Sequence, residues 1–131
     1  MPVDALISLQ ASVAQNTVTT FSGTPLLLPA GTPRRGLVAR VLATIATSST
    51  TNSVVWSVDV CYDGIPTTWY SDFLSPAYAL TTTSLATEIY IPFSISPTVI
   101  ANGTYIRLTC ITSGAGVPAL TYKGDLMISR P

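Results

Sequence analysis

Apolar and polar positions alternate along most of the chain, and nowhere more cleanly than over residues 54–70. Val54, Trp56, Val58, Val60 and Tyr62 fall on one parity, while Ser57, Asp59 and Cys61 fall on the other. Side chains alternate faces along a strand, so this spacing predicts a strand with one buried face and Trp56 in the core. Asp63-Gly64 supplies a tight turn, and Trp69 follows where the chain returns across that strand. The same alternation recurs in Leu37, Ala39, Val41, Ala43 and Ile45; in Ile89, Ile91, Phe93 and Ile95; in Ile106, Leu108 and Cys110; and in Leu120, Tyr122, Leu126 and Ile128. Strand 37–47 is apolar on its second face too (Val38, Leu42), which suits cover on both sides, with another subunit as one source of it. Pro92 lies within strand 88–95 and cannot donate to a ladder, so that strand is expected at a sheet edge or a bulge. Gly124 marks a bulge or a close backbone approach.

Weaker stretches complete the pattern. Ala5, Ile7, Leu9, Ala11 and Val13 share a parity, so residues 1–16 read either as a first strand or as an extended arm that pairs with a neighbouring subunit. Such an arm would be removable without loss of the fold. Thr17 to Phe21 is a short strand, Leu26-Leu27-Leu28 an apolar patch bounded by Pro25 and Pro29, and residues 71–84 a loop anchored by Phe73, Leu74, Tyr78 and Leu80. Residues 113–118 form a Gly-rich hairpin loop. Seven or eight short strands divided by ten prolines and eight glycines predict one all-β domain over residues 1–131, an antiparallel sandwich of jelly-roll type.

Composition narrows the function. Only 9% of residues are charged, against about 25% in ordinary soluble domains, and the formal net charge is zero. Near neutrality removes repulsion between copies. No basic stripe marks a nucleic-acid binder, and no apolar run is long enough to span a membrane. The N-terminus lacks the basic and apolar regions of a signal peptide, so assembly in a cytoplasm is expected. Cys61 falls on a polar parity and Cys110 on a core parity, so the pair is expected as two thiols in a reducing compartment.

Candidate chemistry is sparse. The chain has no histidine, which excludes Ser-His-Asp and Cys-His sites. Asp59 and Glu88 could serve as a glycosidase pair only on neighbouring strands; two solvated carboxylates explain them better. Asp59, Asp63 and Asp72 make a poor metal set, since Asp63 belongs to its turn. Ser113-Gly114-Ala115-Gly116 lacks the lysine and helix of a phosphate cradle, and Asn102-Gly103-Thr104 reads as a turn rather than a glycosylation site. Tyr62, Trp69, Tyr70, Phe73, Tyr78 and Tyr90 are numerous enough for a sugar-stacking platform, although core packing accounts for them more simply. No catalytic residue, metal or cofactor is expected.

The chain resembles the small jelly-roll cement, or decoration, proteins of tailed bacteriophage heads. Four stretches carry the resemblance: residues 4–15, rich in Leu, Ser, Gln and Ala; Leu37-Val38-Ala39-Arg40-Val41; Trp56-Ser57-Val58-Asp59-Val60 with Asp63-Gly64 and Trp69; and Tyr105-Ile106-Arg107-Leu108-Thr109 before a Gly-rich turn and a final strand. Leu26-Leu27-Leu28-Pro29 departs from the pattern in being more apolar. The resemblance implies a non-enzymatic virion protein on the capsid exterior, assembled in the host cytoplasm. Its partners would be the major capsid protein and itself, as a homodimer in preference to a homotrimer, with no nucleic acid and no membrane. Val3, Leu6, Ile7 and Leu9 of the arm, Leu26, Leu27 and Leu28, and Arg34 with Arg35 are the expected contact residues. A carbohydrate-binding module and a tail or baseplate protein are the alternatives.

Overall fold

The computed structural model describes residues 5–28, 35–45, 52–62, 68–80, 85–95 and 103–128. They form ten strands: β1 Ala5–Gln15, β2 Thr20–Ser22, β3 Leu26–Leu27, β4 Leu37–Ile45, β5 Ser53–Cys61, β6 Tyr70–Leu74, β7 Tyr78–Ala79, β8 Leu85–Phe93, β9 Tyr105–Ser113 and β10 Leu120–Ile128. One sheet has the order β1-β10-β4-β8 and the other β2-β9-β5-β6, with β3 also on β9 and β7 also on β5. Every pairing is antiparallel.

The short strands are pieces of longer rungs. Between β2 and β3 the Gly23 N–H donates to the Leu108 carbonyl at 2.8 Å, and just beyond β3 the Leu28 N–H donates to the Thr104 carbonyl at 3.0 Å. Between β6 and β7 the Ser75 N–H donates to the Trp56 carbonyl at 2.8 Å, and Ser75 Oγ accepts from the Trp56 N–H at 3.0 Å. Counting β2–β3 and β6–β7 as one rung each leaves eight rungs, four to a sheet, with the chain crossing between sheets at most connections. This is the jelly-roll arrangement, and the predicted fold class holds.

The core follows the predicted parities. Trp56, Val58 and Val60 face it from β5, Ile106, Leu108 and Cys110 from β9, and Leu120, Tyr122 and Leu126 from β10, none more than 1% exposed. The Trp56 ring meets Tyr122 edge-on across the sandwich, with centroids 5.8 Å apart. Pro92 lies opposite Val38 on β8, an edge strand as its missing N–H requires. Gly124 is a close approach: a Cβ there would sit 2.6 Å from Leu108 Cδ2, and the adjoining bulge lies on β1 instead.

Four expectations change. Residues 70–74 and 78–79 are strands rather than loop, because the unsatisfied edge of β5 supplies their partners. The segment after Ser113 is not a hairpin loop. β9 and β10 belong to different sheets, and the connection crosses one end of the sandwich, where Asn52 Nδ2 donates to the carbonyls of Ser113 and Gly116, each at 3.0 Å. Within this one chain the second face of β4 is covered only in part: Val38, Arg40 and Leu42 are half-buried and Thr44 is exposed. Cys61, assigned to a polar face, is fully buried, though no disulfide joins it to Cys110.

Of the two readings of the N-terminal stretch, strand is the one observed for residues 5–15. β1 pairs with β10 from Ala5 opposite Ile128 to Gln15 opposite Leu120. Two register shifts, between Ser8 and Gln10 and between Gln10 and Val13, each add one residue. Their effects on parity cancel, so Val13 again lies opposite the core residue Tyr122. Leu9 is 4% exposed and Gln15 is buried beside the Thr112 hydroxyl. Residues 5–15 are therefore part of the sandwich, and their removal would uncover β10. Replacing Leu9 with Ala is expected to cost about 2–5 kcal/mol, as for other buried leucines, read as a lower urea midpoint; an arm residue would show no loss.

Candidate functional site

Among the described residues each sheet carries one ion pair on its outer face, and in both the partners stand directly opposite on adjacent strands. On the four-stranded sheet Arg40 faces Asp125, with Nη2 3.0 Å from Oδ2. On the six-stranded sheet Asp59 faces Arg107, with Nε 3.0 Å from Oδ2. In a chain with six acidic and six basic residues, these two pairs are a large share of the charge.

The Asp59 pair is the more elaborate. Asp59 is 1% exposed, although it lies on the polar parity of β5. Its Oδ1 accepts from Ser57 Oγ at 2.8 Å, and its Oδ2 from Thr109 Oγ1 at 2.6 Å as well as from Arg107. Burying a carboxylate costs several kcal/mol unless it is paired and fully hydrogen-bonded, and three donors meet that demand here. Trp69 closes the group from above, its ring centroid 4.2 Å from the Arg107 guanidinium carbon. Such stacking on an aromatic face favours the cation while excluding water from one side. Core packing is the simpler reading of Trp69 from the sequence; the structure places it half-buried over the outer face. Around this centre lie Leu27 opposite Tyr105, and Leu74 opposite Ser57. Leu27 is 49% and Leu74 58% exposed. The face is a neutralised ion pair with an apolar rim, chemistry suited to contact with a protein surface.

The catalytic candidates separate. Asp59 and Glu88 project from opposite sheets, so they cannot flank one glycosidic bond. Asp59 is a buried ion-pair partner and not a solvated carboxylate, while Glu88 is exposed and accepts a hydrogen bond from the Tyr90 hydroxyl. Burial pushes the Cys110 thiol up to about 12, which keeps it protonated and unreactive at neutral pH, and raises the Tyr122 hydroxyl in the same direction. Among the described residues no group of three or more His, Cys, Asp or Glu could hold a metal ion. Asp63 lies outside those residues, and the Asp72 side chain is not among them. The aromatic residues form no single platform: Phe73 packs on Phe93, Tyr78 on Trp56, and Tyr90 stands on the other sheet. The depression lined by Leu42, Glu88, Thr121 and Lys123, about 400 Å³, lies on the outer face of the four-stranded sheet and gathers no catalytic set.

The expected contact residues are dispersed. Leu9 and Leu28 are core residues, and Ile7 and Leu26 pack against the core. Leu27 and Arg35 are exposed, and Leu6 lies in β1 opposite Met127. Val3 and Arg34 lie outside the described residues. The Asp59–Arg107–Trp69 group was not anticipated. The signal for it was that Asp59 and Arg107 are the lone charges of two strands otherwise apolar or hydroxylated.

No family model and no curated protein matches the chain. Solved structures do. Over 96% of its length the chain superposes on a chain of infectious bursal disease virus, Gt strain, with TM-score 0.62 at 14% identity. A chain of the Gx strain gives 0.60 at 16% identity over 96%. A chain of the T13 particle of the same virus gives 0.53 at 16% identity over 95%. The likeness is one of fold. The chain spans about a third of those chains, 33%, 32% and 30% respectively. These three chains come from that virus and not from a tailed phage.

Two outcomes follow from the buried groups. Arg107→Met should cost about 3–5 kcal/mol, because it strands the Asp59 carboxylate where water cannot reach. Asp59→Asn should cost less, since Arg107 is 23% exposed and can rehydrate; urea midpoints of the two variants check the order. Stability should also fall in alkali. The folded Cys110 thiol holds its proton to about pH 12, against 9.0 when unfolded. Its contribution is therefore complete below pH 9.0 and lost as pH rises toward 12. Cys110→Ala should flatten that slope in a pH series of denaturation midpoints.

Proposed function

We propose that this chain is a virion structural protein, and within that class a decoration protein that binds the outer surface of a capsid shell and bridges its capsomers. The observation that carries the reading is the eight-rung jelly roll, superposing along nearly its whole length on chains whose jelly-roll-like folds belong to viral capsid proteins. The outer faces support it. Their ion pairs are neutralised internally, the Asp59 face has an apolar rim, and the net charge is zero, so little electrostatic repulsion opposes dense packing on a shell.

Bridging accounts for how a small domain would hold a head together. Internal pressure strains the seams between capsomers, and a protein contacting two of them makes its second contact at high effective concentration. Interfaces near or below the usual size of about 1,600 Å² then sum to firm retention. Leu27 and Arg35, both exposed, are proposed contacts, together with Val3, Leu6 and Arg34, which the resemblance implies. The role is non-enzymatic and the location is the capsid exterior.

Co-sedimentation with purified capsids of the source virus, immature and expanded, tests this. Saturable binding to expanded capsids at a fixed copy number per capsid subunit is expected. Leu27→Asp should weaken it at least roughly tenfold, since an unpaired carboxylate would be desolvated, with no change in the denaturation midpoint. Absence of binding to either form would refute the decoration role.

A further inference from the structure

Four rungs lie at sheet edges, and three of them are guarded in the ways that stop edges from pairing. β1 carries two register shifts. The β2–β3 rung is broken at residues 23–25, which include Pro25, and the β6–β7 rung is broken at residues 75–77, which include Pro76, with a further shift opposite Val58 and Val60. β8 differs. It pairs with β4 over all nine residues without a shift, and among the described residues no strand covers its other side. From these observations we infer that β8 is a self-association edge, pairing antiparallel with β8 of a second copy about a two-fold axis and joining two four-stranded sheets into one of eight.

Pro92 sets which backbone groups face outward. A proline inside an unbroken ladder occupies a position whose N–H would point away from the neighbouring strand. Ala86, Glu88 and Tyr90 share that parity, so their N–H and C=O groups are the ones a second strand would engage. In a two-fold antiparallel pairing these outward residues meet one another, and three registers are available. Glu88 against Glu88 of the partner subunit opposes two carboxylates. Tyr90 against Tyr90 of the partner subunit sets Glu88 against the donorless Pro92 and forms fewer backbone bonds. The register centred on Ile89 places Glu88 opposite Tyr90 of the partner subunit at two symmetric positions and moves Pro92 to the end of the ladder. Glu88 and Tyr90 are chemically matched: both are exposed, and the hydroxyl already donates to the carboxylate within the strand. Arg40, opposite Tyr90 on β4, keeps the neighbourhood from becoming acidic.

The pairing is independent of the capsid reading, because the protein alone in solution tests it. Sedimentation velocity at micromolar concentration should show a dimer. Glu88→Pro adds a second outward-facing proline, leaves the β4 ladder intact and should give a folded monomer, judged by an unchanged strand signal in circular dichroism. If that variant does not fold, the register decides. Tyr90→Glu sets like charges opposite each other twice and should raise the dimer dissociation constant by about tenfold, while Tyr90→Lys should hold or lower it. A monomeric wild type would overturn the proposal, as would a folded Glu88→Pro that remains dimeric. Equal effects of Tyr90→Glu and Tyr90→Lys would overturn the register.

Discussion

The pairing of β5 with β9 is the constraint on which the rest of the structure depends. Nine residues of each strand face each other without a shift, from Ser53 opposite Ser113 to Cys61 opposite Tyr105. That one register settles both faces of the six-stranded sheet. On the inner face it sets Trp56 beside Cys110, which in turn brings Tyr122 of the other sheet against the indole. On the outer face it sets Asp59 beside Arg107 and Ser57 beside Thr109, so the only charges of the two strands neutralise each other. A slip of one residue would turn Trp56 outward and leave Asp59 in the core without its cation.

The short rungs are consequences of that pair. β2 and β3 complete the free side of β9, and β6 and β7 the free side of β5, each held partly by hydrogen bonds from residues between the strand segments. Their interruptions carry no penalty to the core, because the interior strands already bury it. They also blunt two of the four edges. β1 achieves the same by bulges that cancel in parity, keeping Leu9 and Gln15 buried while the strand bends. Among the described edges only β8 combines full length with unbroken register, which makes the four-stranded sheet asymmetric: one edge bent by bulges and one regular.

This asymmetry bears on assembly. A sandwich with neutral faces and one open edge has a directional way to associate, and the edge can be used without uncovering any core residue. The Asp59 face, with its apolar rim of Leu27 and Leu74, belongs to the opposite sheet. Pairing through β8 would leave that face available, so self-association and attachment to a larger surface need not compete.

Alternation alone was enough to place the long strands and their inward residues: Trp56, Ile91, Leu108 and Tyr122 were assigned to the core from parity, and Pro92 to an edge. These are local properties, since the side-chain period of a strand is two and a proline lacks a donor wherever it stands. The all-β class followed from the same count of strands and breakers. What no local pattern holds is which strand lies beside which. Parity cannot tell a hairpin from a crossover, so the Gly-rich segment after Ser113 reads as a hairpin loop in sequence although it joins the two sheets. Nor can it tell a polar face open to water from one sealed by its neighbours. Asp59 became a buried ion pair through Arg107, 48 residues away, and Trp69 was drawn over that pair instead of into the core. Residues 5–15 became a strand because β10 offered them an edge. In each case the deciding contact joins residues far apart in the chain, and only the tertiary structure brings them together.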